Sequence, residues 1–274
     1  MYVHVLLMQS YCAVRFTRGM GFGNRLYPWA RCHLYARQAG VPMLAPYWWW
    51  PPRLGSLLKE PPAVAELPGN LYIRGMRALP AYIGGARRSV IEATSRGEIR
   101  VFRGEAGRLN DVQGGEAELL AALRAMSTRT MKVDTSYIGV HVRRGDFSAA
   151  ARTPLAWFAG ALRAVRAAVG REVVAIVVSD GKAGALHGLL REPAVTLART
   201  GSPLADLLLL AGARVLLASG SSFSAWGAFL GGMPAVTQSQ HSLAWFGLRA
   251  GGYLGQFEPQ VGNREFLDAA AAAF

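Results

Sequence analysis

A chain of 274 residues that is 51% hydrophobic and 17% charged is long enough for one large domain or two small ones, and it is not a disordered tail. Its formal net charge of +13 comes almost wholly from arginine dispersed along the chain, which suits an anionic ligand, an anionic membrane surface or nucleic acid. A compositional bias of the coding sequence raises arginine and alanine in the same way, so charge alone selects none of these.

Cys12 and Cys32 make no disulfide framework and stand at no metal-ligand spacing, so a reducing compartment is the expectation. The opening "MYVHVLLMQS" lacks a basic region, and its apolar run is too short for a secretory signal. In chain order, "CAVRF" reads as a strand, "TRGMGFGN" as a glycine-rich loop, and "PWARCHLYARQAG" as a helix with Pro28 near its start and Gly40 closing it. The stretch "APYWWWPPRLGSLLKEPP" is periodic for nothing and reads as a long loop, uncommon enough in a compact domain to suggest a functional role. From Leu79 to Lys132 only fragments of strand and helix are legible. The segment "TRTMKVDTS" marks a boundary, giving domains 1–133 and 134–274, and there is no internal repeat.

Beyond it the pattern is regular. "YIGVHV" is a short β-branched strand, followed by a helix with Thr153 as N-cap, Pro154 at the first helical position, and Leu155, Phe158, Leu162, Val165 and Val169 at helical spacing before Gly170. "EVVAIVVSD" is a continuous apolar strand of the kind buried on both faces of a parallel sheet. "AVTLA", the helix in "SPLADLLLLAG", the strand "RVLLAS", the helix in "SSFSAWGAFLGG" and the strand "PAVT" complete the alternation. The window "PLADLLLLAGARVLLAS" is interrupted by Asp206 and Arg214 well short of the roughly 20 residues of a membrane span. Strands alternating with helices predict an α/β fold with a doubly wound sheet, whose ligands bind outside the carboxyl ends of the strands.

Candidate site residues gather at those ends. In "HVRRGDF", His141 and Arg143 share a face by alternation, and a guanidinium there can hold a phosphate through two bonds. The structural alternative is an ion pair of Arg143 or Arg144 with Asp146 that pins the loop. Asp180, beyond "VVS", suits two N–H donors of a guanine or a ribose hydroxyl, and equally suits a helix N-cap. Ser221 and Ser222 begin a helix whose backbone N–H groups favour an anion, although serines cap helices with no ligand as well. Gly21 and Gly23 allow the backbone close to a ligand, and Asn24 suits either a helix cap or a substrate contact. This loop misses the dinucleotide fingerprint, since Met20 and Asn24 disrupt it.

In their order and spacing these groups resemble the GDP-fucose-dependent fucosyltransferases, most closely the α1,2-fucosyltransferase family, whose wider superfamily includes the α1,6- and protein O-fucosyltransferases. The family's GGLGN(Q) loop is met by "GMGFGNRL" with Met20 and Arg25 substituted. Its H-x-R-R-G-D motif is met in full by "HVRRGDF", its S-D pair by "VVSDG", and its S-x-S-S-F-S-W-W-A-A-W-L by "SGSSFSAWGAFL", with Ala225 and Phe229 for tryptophans. The likeness covers the opening forty residues and nearly everything from 137 to 237.

The resemblance implies two facing Rossmann-like domains, an acceptor-side one at the N-terminus and a GDP-sugar-binding one at the C-terminus. Arg143 then holds the β-phosphate, with Arg144 beside it, and His141 and Asp180 contact the guanosine. Ser221, Ser222 and Phe223 line the diphosphate and base, while Gly21, Gly23 and Asn24 face the reaction centre. "PYWWWPP" becomes a sugar-stacking surface, or else an apolar cluster under a loop. No Asp-x-Asp occurs in the chain, so the expectation is a cofactor-free, metal-independent transferase in which arginine replaces a divalent cation. Inversion at the anomeric carbon is implied, with Asp146 as base, weakened by Arg143 and Arg144. The expected partners are a GDP-sugar and a glycan acceptor, and the expected place is the cytoplasm, peripheral to an anionic membrane face where surface glycans are built. The competing readings are another GDP-sugar as donor, a non-catalytic GDP-binding relative, and a nucleic-acid-binding protein. The last predicts basic residues clustered on one face, whereas the arginines are dispersed.

Overall fold

The computed structural model describes residues 11–16, 20–41, 43–45, 70–72, 91–94, 97–129, 131–145, 148–249 and 252–274. The chain divides between Thr128 and Arg129 into two compact units. The tryptophan-rich stretch from Pro46 onward lies outside the described residues.

In the first unit, β1 (Tyr11–Arg15) is followed by α1 (Phe22–Ala39), β2 (Met43–Ala45), β3 (Asn70–Tyr72), β4 (Ile91–Thr94), β5 (Gly97–Arg103) and α2 (Glu116–Met126). The sheet order is β3-β2-β1-β5-β4, parallel except for β4, which runs against β5 at the edge. Helix α1 begins at Phe22, a full turn and more before Pro28, where a start was expected. Proline inside a helix costs about 3 kcal/mol through its missing N–H and its clash with the preceding turn. Leu26, Tyr27 and Trp29 are fully buried on the same helix, and each such side chain contributes roughly 1.5–3 kcal/mol. Burial therefore wins, and Gly23 and Asn24 become helical residues rather than loop. Gly40 closes the helix in the left-handed conformation, as expected.

The second unit comprises β6 (Tyr137–Val142), α3 (Leu155–Val169), β7 (Val174–Ser179), α4 (His187–Leu190), β8 (Val195–Leu197), α5 (Pro203–Ala211), β9 (Val215–Ala218), α6 (Ser222–Gly231), β10 (Ala235–Thr237), β11 (Leu254–Gln256) and α7 (Arg264–Ala272). Its six strands are all parallel in the order β8-β7-β6-β9-β10-β11. Ile138, Val140 and Val142 pack with Val215, Leu217 and the apolar stripe of α3, where Phe158, Leu162 and Val165 are fully buried. Gly139 and His141 point to the opposite face, where a Cβ at Gly139 would meet Ala213 and Leu210. Strand β11 and helix α7 escaped the sequence reading, and α7 closes the core through Phe266 and Ala270.

Thr153 does not cap α3. Pro154 occupies the N-cap position, and the Thr153 hydroxyl is buried with no hydrogen-bond partner among the described residues. Asp206, anomalous in an apolar helix, lies in the first turn of α5 and accepts the Thr200 hydroxyl at 2.7 Å. Among the described residues no helix is long and apolar enough to cross a membrane.

Candidate nucleotide site at the strand-order reversal

Chain order runs outward from β6 through β7 to β8, then returns to β9 on the other side, so the sheet reverses between β6 and β9. Two connections leave the carboxyl ends of these neighbours in opposite directions and open a crevice there. The register pairs His141 with Ala218, so the residues after each strand meet at one point. The Ser219 N–H donates to the His141 carbonyl at 3.0 Å, and the Arg143 N–H donates to the Ser219 hydroxyl at 3.0 Å.

His141 is 3% exposed, and its Nδ1 lies 2.6 Å from the Ser224 hydroxyl. Burial first, and the Arg143 guanidinium second, push its pKa down from 6.5 to about 4 against the opposing pull of Asp180. The imidazole is therefore neutral at pH 7. Phe223 tilts against it with ring centroids 5.1 Å apart.

Arg143 pairs with Asp180: its Nη1 lies 2.8 Å from Oδ2, with both side chains about a quarter exposed. Asp180 caps no helix, because its other oxygen accepts the Arg144 N–H at 2.6 Å. The carboxylate is thus a staple across the ends of β6 and β7. Gly145 is required beside it, since a Cβ there would stand 2.6 Å from Oδ2. Arg144 has its pKa lowered by burial and by Arg152, and its Nε is buried with no hydrogen-bond partner among the described residues. Asp146 lies outside the described residues.

Ser221 is the N-cap of α6 and accepts from the Ser224 N–H at 3.3 Å. Ser222 is the first helical residue, half-buried like Phe223. Seven sequence-selected residues, His141, Arg143, Arg144, Asp180, Ser221, Ser222 and Phe223, therefore gather at this reversal. Guanidinium groups beside the start of a ten-residue helix suit a phosphate. Gly21, Gly23 and Asn24 lie in the first unit, at the start of α1. Gly21 is the N-cap of α1 with no side-chain bond, so Asn24 caps nothing, and the Asn24 N–H donates to the Gly21 carbonyl at 3.1 Å. Arg25 is held by the Met20 carbonyl at 2.9 Å. Ser219 and Ser224 were missed. The signal was present in "ASGSSFS", since Ser224 is one helical turn from Ser221, but its link to His141 spans 83 positions.

Residues 110–244 match the model of glycosyl transferase family 11. The matched segment runs from before α2 to the loop after β10, and so contains every residue of the reversal. It agrees with the resemblance carried by "HVRRGDF" and "SGSSFSAWGAFL". No protein of curated function matches the chain. Among solved structures, heptosyltransferase WaaC of E. coli with ADP is 11% identical, covers 97% of each chain and has a TM-score of 0.53. That likeness shows the fold, an α/β architecture built of Rossmann-like domains. NodZ α1,6-fucosyltransferase soaked with GDP-fucose is 18% identical over 84% of this chain and 95% of its own, with a TM-score of 0.47. A variant of Arabidopsis thaliana FUT1 in complex with GDP is 11% identical over 85% and 72%, also at 0.47.

Proposed function

We propose that the protein is an inverting, metal-independent transferase that moves fucose from GDP-fucose to a sugar hydroxyl, the 2-hydroxyl of a galactoside. One observation carries the reading: Arg143, His141 and the Ser219–Ser224 turn converge at the strand-order reversal inside the segment that matches family 11.

In this reading Arg143 divides its guanidinium between Asp180 and the β-phosphate. Cleavage of the bond from the anomeric carbon to GDP leaves added negative charge on that phosphate. A guanidinium and a helix N-terminus already in place stabilise the transition state more than the ground state. These cationic groups do what a divalent cation does elsewhere, which is the basis for proposing that none is needed. Asp180 and His141 meet the guanosine, Ser221, Ser222 and Phe223 line base and diphosphate, and Arg144 adds positive potential. Gly21, Gly23 and Asn24 act from the acceptor-side domain. The acceptor hydroxyl attacks the face opposite the leaving group, with Asp146 as base, and an oxocarbenium-like path lessens the demand on it.

A calorimetric titration of GDP, UDP and CDP tests the donor class without knowledge of the acceptor. Selective GDP binding supports it, and equal or absent binding of all three rejects it. GDP release from GDP-fucose with a galactoside in EDTA tests the rest. Activity abolished by EDTA and restored by magnesium or manganese rejects metal independence, whereas tight GDP binding without turnover on a broad acceptor panel points to a non-catalytic relative.

A further inference from the structure

The Ser224 hydroxyl has one proton, and three neighbours compete to decide where it goes. Ser224 Oγ lies within hydrogen-bond reach of the Ser219 carbonyl, of His141 Nδ1 at 2.6 Å and of Ser221 Oγ at 3.2 Å. A carbonyl oxygen carries no proton, so its close approach to the hydroxyl is attractive only if the Ser224 O–H donates to it. That spends the proton. His141 must then supply its own at Nδ1, and Ser221 can donate to the remaining lone pair.

We propose that Ser224 is a positioning residue that locks His141 as the Nδ1–H tautomer, so that Nε2 stands in the nucleotide site as a hydrogen-bond acceptor selecting a base or ribose that offers an N–H or O–H. The inference deepens the proposed GDP-sugar reading and rests on it for the ligand, but the tautomer itself does not. Three features of the structure support the lock. Ser224 is fully buried, so no water replaces its hydroxyl. The Phe223 ring confines the imidazole plane. Ser224 engages Nδ1, so Nε2 is the ring nitrogen left to meet a ligand. Arg143 and Asp180 are the charged groups that act on the ring, and burial with Arg143 outweighs Asp180 in keeping it unprotonated. An acceptor at this place suits an N–H of guanine's pairing edge or a ribose hydroxyl.

The deciding measurement is the two-bond ¹H–¹⁵N spectrum of the full chain, which distinguishes Nδ1–H, Nε2–H and imidazolium forms. The expected result for the unaltered protein at pH 7 is a pure Nδ1–H tautomer at His141, and an Nε2–H or doubly protonated ring overturns the proposal. With Ser224→Ala the expectation is a shift toward the Nε2–H form and a loss of GDP affinity of about tenfold, the worth of one hydrogen bond. An unchanged tautomer in a folded Ser224→Ala protein also overturns it. Ser221→Ala, which removes the cap but not the link to His141, should leave the tautomer as it was, and a shift there would mean that helix packing, not Ser224, sets it. If GDP does not bind at all, the donor reading fails while the spectrum still decides the tautomer.

Discussion

The first strand-to-helix turn of each unit leaves a central strand of its sheet, β1 in one and β6 in the other, yet the two are built differently. At the end of β6 nearly every polar group has a partner from another element: Ser219 takes Arg143, Ser224 takes His141, Asp180 takes Arg143 and Arg144. At the end of β1, Gly21 is exposed, a Cβ placed on it would meet nothing within 4 Å, and its φ of −66° requires no glycine. Bonds between strand ends hold the first of these turns, and among the described residues none crowds Gly21 in the second. Asp180 requires Gly145 to be a glycine, whereas among the described residues nothing requires it of Gly21.

Four changes test this contrast. The largest effect is expected from Arg143→Ala, a loss of about 10²–10³ in kcat with the fold intact. Arg143→Lys should recover little, because a point charge lacks the two-pronged donor, and near-normal turnover in either variant would remove that side chain from catalysis. Next is the pH dependence of stability. The folded chain keeps His141 neutral down to about pH 4 while an unfolded histidine takes up its proton near 6.5. Stability attributable to this group is therefore intact above 6.5 and declines as pH falls toward 4, by on the order of 3 kcal/mol. Across that window, denaturant titrations should show the protein losing more stability than His141→Gln by this amount, and equal losses would refute burial of a neutral ring. Asp180→Asn should cost about 1 kcal/mol, since the Arg143 pair is partly exposed, lowering the melting midpoint by a few degrees. The smallest change is Gly21→Ala, with stability altered by less than about 0.5 kcal/mol and turnover reduced. A marked drop in melting temperature would mean that this glycine serves the fold instead.

The reading of the second unit from sequence succeeded where signals were local. Continuous apolar runs gave β6, β7 and β9, and the stripe Phe158, Leu162 and Val165 gave α3. It failed where burial overrode a local preference. Pro28 sits inside α1 because Leu26, Tyr27 and Trp29 hold the helix around it, and Thr153 is buried without capping. Short β11 has too few residues to signal itself.

The amino-acid order by itself determined which residue types stand at the strand ends, because strand periodicity, glycine punctuation and the "HVRRGDF" and "SGSSFS" runs are properties of neighbours along the chain. Which of them touch was decided only by folding. The reversal between β6 and β9 brings together positions some eighty residues apart, and only there does Ser224 meet His141, while the β6–β7 pairing sets Asp180 beside Arg143. Hydrogen bonds act over about 3 Å, and distances of that size between separate strands are set by sheet topology, which no local stretch of sequence encodes.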